Sequence, residues 1–118
     1  MKESILKNKS YDFALSIIEL YKTLSKEKKE FTLSKQLLRS GTSIGANIRE
    51  AEFAQSTKDF ISKMSISLKE ANETEYWLNL LKDSGYIDAI EFNSLSKQNI
   101  ELIRMLVSTI NTMKSKLK

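Results

Sequence analysis

Three carboxylates and one glycine-bearing stretch are the places where residue type and spacing could do chemistry. Glu70, Glu73 and Glu75 crowd into LKEANETEYWLNLL, and paired carboxylates can act as general acid and base. Residues 39–56, RSGTSIGANIREAEFAQS, hold two of the three glycines together with Ser40, Thr42, Ser43 and Asn47, a composition that invites a phosphate-cradling loop. That loop, however, needs G-x-x-x-x-G-K-[ST] after a strand, and this chain supplies neither the Lys nor the strand. The chain has no His and no Cys, which removes Ser-His-Asp and Cys-His nucleophiles, Cys/His zinc sites and the Glu-x-x-His pairs of di-iron bundles. Without a cleft, a partner base or a metal-binding His, the three carboxylates are expected to form salt bridges with Lys69, Lys82 or a neighbouring subunit. No enzyme, metal, cofactor or small-molecule substrate is expected.

The elements that must carry these residues are helices. There is no proline, and the apolar residues recur with helical period. Phe13, Ile17, Leu20 and Leu24 predict a first helix over residues 4–26. After the charged SKEKKEF connection, a second runs from Thr32, the expected N-cap, to Ala54, with Leu37, Ile44, Ile48 and Ala51 on one stripe. Ser56-Thr-Lys-Asp59 has the form of a capping box opening a third helix, lined by Phe60, Met64, Ser67, Ala71, Thr74, Leu78 and Leu81 and stopped by Gly85. Asp88 to Glu91 repeats the signal for a fourth, lined by Phe92, Leu95, Leu102, Leu106, Ile110, Met113 and Leu117. Four long helices with short connections predict an all-α, antiparallel up-down-up-down four-helix bundle forming one domain over residues 1–118.

On a wheel at 100° per residue, Gly41 and Gly45 flank the second helix's apolar stripe on one shoulder, and Ser40, Ser43 and Asn47 on the other. Each Gly costs a helix interior about 1 kcal/mol relative to Ala, a loss that close helix packing recovers through dispersion and buried area. Gly41, Ser43, Gly45 and Asn47 are therefore close-packing candidates, with Asn47 expected to bond across helices and a break at Gly41 the competing reading. The third helix is apolar on more than one side: Ile66, Trp77 and Leu80 lie on one flank, Ile61, Leu68 and Tyr76 on the other. Trp and Tyr are frequent interface anchors, so Ile66, Glu73, Trp77 and Leu80 are candidates for a contact with a second copy.

Net charge is +4 and concentrates at the two ends of the sequence: residues 1–35 carry eight Lys against five acids, and residues 88–118 five basic against three acidic. An up-down bundle gathers Lys2, Lys7, Lys9, Lys114, Lys116 and Lys118 near Lys58 and Lys63 at one pole, and Lys26, Lys28, Lys29 and Lys35 at the other. Such patches contact phosphates without reading bases. MKESILKNKSYDF lacks a signal-peptide apolar run, and no later stretch reaches membrane-spanning length. The cytoplasm is the expected compartment, and no membrane partner is expected.

RSGTSIGANIREA, followed by AQSTKDFISKMSISLKEANETEYWLNLL and a Gly-Tyr-Ile turn, resembles the bacterial four-helix-bundle family. That family is also called the large-subunit rRNA intervening-sequence protein family, and is related to the accessory variability protein of diversity-generating retroelements. The likeness runs from Leu20 to Met113 and includes Gln36, Arg39, Ser43, Asn47, Glu50, Ser56, Glu70, Glu73 and Thr74. It implies a cytoplasmic up-down bundle assembled as a ring-like homopentamer without known enzymatic activity. For the retroelement branch it implies a positive surface that binds nucleic acid and a reverse transcriptase. This chain is only mildly positive, so the expectation is an oligomeric, non-enzymatic bundle with weak electrostatic binding of RNA, DNA or a ribonucleoprotein. The alternative is a protein-interaction scaffold with no nucleic-acid role.

Overall fold

The computed structural model describes residues 2–117, with side chains from residue 5 onward. Four helices follow one another: α1 (Lys2–Lys26), α2 (Leu33–Glu52), α3 (Thr57–Asp83) and α4 (Ala89–Ser115). The connections span residues 27–32, 53–56 and 84–88. Six extended residues reach at most about 21 Å, whereas a helix of α1's length rises about 37 Å, so no connection can run back along a helix to start a parallel neighbour. The register agrees. Ser10 lies against Gly45 and Ile17 against Gly41; Ser67 bonds Ile44 and Thr74 meets Ser40; Ser96 bonds Glu75 and Asn99 bonds Ala71. In each pair one residue number rises as the other falls. The bundle measures 50 × 21 × 20 Å, with α1 beside α2, α2 beside α3, α3 beside α4, and α4 closing against α1.

One core fills the interior. Phe13, Ile17, Leu20 and Leu24 meet Leu37, Ile44 and Ile48, Met64, Ala71, Leu78 and Leu81, and Leu95, Leu102, Leu106 and Ile110. The predicted stripes are thus the buried ones, apart from their ends: Phe60 and Phe92 are half-buried against the core, Met113 is half-buried near the end of α4, and Leu117 lies exposed beyond it. A C-terminal turn has no fourth wall to close over it.

The predicted caps at α3 and α4 are in place. Ser56 Oγ accepts from the Asp59 N–H at 3.0 Å and Asp88 Oδ1 from the Glu91 N–H at 2.8 Å. After α3, Gly85 takes φ +86, the Tyr86 N–H donates to Leu81 O at 2.8 Å and the Gly85 N–H to Lys82 O at 3.0 Å. These are the two bonds of a Schellman stop, with Gly where a Cβ would be strained. Thr32 differs from expectation: its backbone is already helical and its hydroxyl caps nothing. Glu30 does that work instead. Its carboxylate accepts from the N–H groups of Thr32 (3.1 Å), Leu33 (3.0 Å) and Ser34 (2.7 Å), so one side chain satisfies three of the donors a helix start leaves open. α2 also stops at Glu52 rather than Ala54.

Candidate nucleic-acid pole and contact faces

The glycines face α1. A Cβ at Gly41 would lie 2.9 Å from Ile17 Cγ1 and 3.0 Å from its Cγ2, and one at Gly45 would lie 3.2 Å from Ser10 Oγ. α2 is continuous through both, which removes the helix-break reading. The opposite shoulder faces α3, where Ser67 Oγ donates to Ile44 O at 2.8 Å and the Ser40 and Thr74 hydroxyls stand 2.9 Å apart. Two small-residue shoulders therefore serve two neighbours.

Asn47 does not bond across helices. Its amide donates to Ser43 O, one turn back, at 2.9 Å, and the Ser43 hydroxyl likewise returns to Arg39 O. From the edge of the stripe, a short side chain reaches its own preceding turn more easily than a neighbour. The cross-helix amide is Asn99, fully buried, whose Nδ2 donates to Ala71 O at 2.9 Å and to Glu75 Oε1 at 3.0 Å. Pattern reading passed over it because it interrupts an otherwise apolar stripe. Its position between Leu95, Leu102 and Leu106 at helical spacing was the available signal.

The three carboxylates have partners other than those expected. Arg39 Nη1 binds Glu70 at 3.1 Å and Nη2 binds Glu73, while the Trp77 indole N–H donates to Glu73 Oε1 at 3.2 Å. Glu75 turns the other way and accepts from Ser96 and Asn99 on α4. Lys69 and Lys82 are not involved; Lys82 instead sits 4.2 Å over the Phe92 ring. In the antiparallel register Arg39 is level with Glu70 and Glu73, whereas Lys82 lies two turns further along α3. Among the described residues no group of acidic side chains is arranged to hold a metal, and no helix is long and apolar enough to cross a membrane.

Of the contact candidates, Ile66 is exposed, while Glu73, Trp77 and Leu80 are half-buried on the outer wall between α2 and α3. Trp77 also packs on the core, and its ring meets Tyr76 edge-on at 5.1 Å. The lysines divide unevenly. At the pole of the chain ends Lys7 pairs with Glu52 at 3.1 Å and, further along α1, Lys9 pairs with Glu101 at 3.2 Å. Lys58, Lys114 and Lys116 are exposed there and Lys63 is half-buried. The side chain of Lys2, and Lys118, lie outside the described residues. At the far pole Lys26, Lys28, Lys29 and Lys35 are all exposed.

Neighbouring acids distinguish the two poles. The first pole sets Lys7, Arg49, Lys58, Lys63, Lys114 and Lys116 against Glu50, Glu52 and Asp59. The second sets Lys22, Lys26, Lys28, Lys29, Lys35 and Lys82 against Glu27, Glu30, Asp83, Asp88 and Glu91. The positive surplus therefore sits at the chain-end pole, and the far pole is close to neutral.

The fold is shared with a solved structure of a protein of unknown function from the S23 ribosomal protein family of Bacteroides thetaiotaomicron VPI-5482. The two are 56% identical with a TM-score of 0.93, over 94% of this chain and 99% of that one. No curated protein matches the chain significantly. Neither that structure's description nor the family's carries an enzymatic activity. Residues 2–108 match the 23S rRNA-intervening sequence protein family, and with the match running through all four helices the chain belongs to that family.

Proposed function

We propose that the protein is a non-enzymatic, cytoplasmic homo-oligomer, a pentamer on the family expectation, that binds RNA or DNA weakly through its chain-end pole. The observation that carries this reading is the surplus of exposed basic side chains there, with Lys58, Lys114 and Lys116 in no ion pair among the described residues. Repeating that pole around an oligomer turns a few weak phosphate contacts per chain into a larger polyvalent surface. Self-association rests on the outer wall of α3, where Ile66 is exposed beside Trp77 and Leu80.

Anisotropy titrations with RNA and DNA oligomers of one sequence test the ligand. Binding should weaken steeply with salt and differ little between the two, since lysines at a helix end read neither bases nor 2′-hydroxyls. Deleting the residues after Met113 removes Lys114, Lys116 and Lys118. The slope of log affinity against log salt should then fall by about 1 for each lysine in contact. An unchanged slope would move the site to Lys26, Lys28, Lys29 and Lys35. No binding at low salt would leave the protein-interaction scaffold as the function.

A further inference from the structure

The α3 flank supplies one half of a subunit contact; we infer that the other half, on the next copy, is the outer wall between α1 and α2, anchored by Tyr11 and Leu15. This rests on the self-association proposed above and names its reciprocal surface. Tyr11 is 66% exposed and Leu15 48%, with Ile18 half-buried beside them. Lys7 reaches Glu52 and Ser10 touches Gly45, which fixes this side of α1 as the one turned toward α2. At helical spacing from Lys7, Tyr11 and Ile18 fall on that same outer wall, with Leu15 at its edge.

Level along the bundle matches between the two walls. Ser10 stands beside Gly45, and Ile44 receives the hydrogen bond of Ser67; Tyr11 and Ile66 are therefore at one height. Ile17 stands beside Gly41 and Ser40 beside Thr74, which brings Ile18 near the height of Glu73 and Trp77. In a ring whose axis runs along the bundle, residues that meet across the contact share a height. Charge agrees with the apolar match. Consecutive residues Arg49 and Glu50 are exposed at one level, Arg49 on the α1/α2 wall and Glu50 on the α2/α3 wall, and neither has an ion-pair partner among the described residues.

The two walls are different surfaces, so the contact is heterologous. They are also adjacent sides of a bundle with a nearly square cross-section of 21 × 20 Å. Joining adjacent sides turns each copy against the last and closes a small ring, whereas joining opposite sides would extend a filament.

The chain has no cysteine, so single cysteines report the contact cleanly. Tyr11→Cys and Ile66→Cys proteins, each at an exposed position, would be mixed, allowed to exchange subunits and treated with a short bis-maleimide. Cross-linked dimers should form in the mixture and not in either variant alone, and a Tyr11→Cys/Ile66→Cys double variant should give a ladder. Cross-linking within Ile66→Cys alone would mean that like faces meet, overturning the inference. Val107 is exposed and, at helical spacing from Ser96, lies on the side of α4 that Ser96 turns toward α3; cross-linking of Ile66→Cys to Val107→Cys would therefore place the reciprocal wall between α3 and α4 and overturn the inference as well. Light scattering separates the underlying claim: a wild-type monomer at micromolar concentration would remove self-association itself, while an oligomer without the Tyr11–Ile66 cross-link would remove only this assignment.

Discussion

A Gly41→Leu protein should melt far below the wild type, with the bundle destabilised by about 3 kcal/mol and the midpoint lowered by about 10–20 °C. The cause is backbone proximity. Gly41 is buried, and even a Cβ there would press Ile17 Cγ1 at 2.9 Å, Cγ2 at 3.0 Å and Cβ at 3.3 Å. Ile17 is fully buried, and a β-branched side chain inside a helix has essentially one rotamer, so it cannot swing aside. Gly41→Ala should therefore destabilise by about 1 kcal/mol despite the similar gain in helix propensity. Gly45→Ala should come out near neutral, because its nearest neighbour is the Ser10 hydroxyl at 3.2 Å, a rotatable atom, and the propensity gain offsets the squeeze. Thermal melts of the three variants decide it. If Gly41→Leu melted with the wild type, or Gly45→Ala were the less stable of the two alanine variants, close approach of α1 would not explain the glycines.

The distinction between the two glycines illustrates what could be read from the sequence. Helical periodicity alone put Phe13, Ile44, Leu78 and Leu106 into the core, because each sits on a stripe that only a helix can bring to one side. It also put Gly41 and Gly45 on a shoulder facing a neighbour. Which neighbour, and which glycine is tighter, depends on the offset between α1 and α2, and an offset between helices is a tertiary quantity with no local signature. The same limit hid the Arg39–Glu70–Glu73–Trp77 group. Each member was visible as a polar or aromatic residue on a flank, yet their convergence requires that α2 and α3 be antiparallel with Ile44 level with Ser67. The basic poles were legible as places, since an up-down bundle fixes where chain ends meet. Their net charge was not, because Lys7 and Lys9 are partly neutralised by Glu52 and Glu101 from helices distant in sequence.

Glu30→Ala should cost about 2–3 kcal/mol, more than an ordinary helix cap, because one carboxylate serves three backbone donors with charge-assisted bonds. The residue is 8% exposed, so water is poorly placed to replace it. Burial alone would push its carboxyl up, but the N–H groups of Leu33, Ser34 and Thr32 together outweigh that and hold it below the usual carboxylate range. The linkage sign follows. A carboxyl whose folded pKa is depressed contributes its stability fully above the unfolded value of about 4.3 and loses it as pH falls through the folded value. Glu30→Gln keeps the size and an acceptor oxygen while abolishing the titration. The stability difference between wild type and Glu30→Gln should accordingly be flat from neutral pH down to about pH 5 and shrink below about pH 4. Carboxylates common to both proteins cancel in that difference, so the acid-side loss belongs to Glu30. Urea titrations at pH 7, 5, 4 and 3 measure it. A difference that stays constant down to pH 3, or a Glu30→Ala protein as stable as the wild type, would mean that α2 begins without help from this side chain.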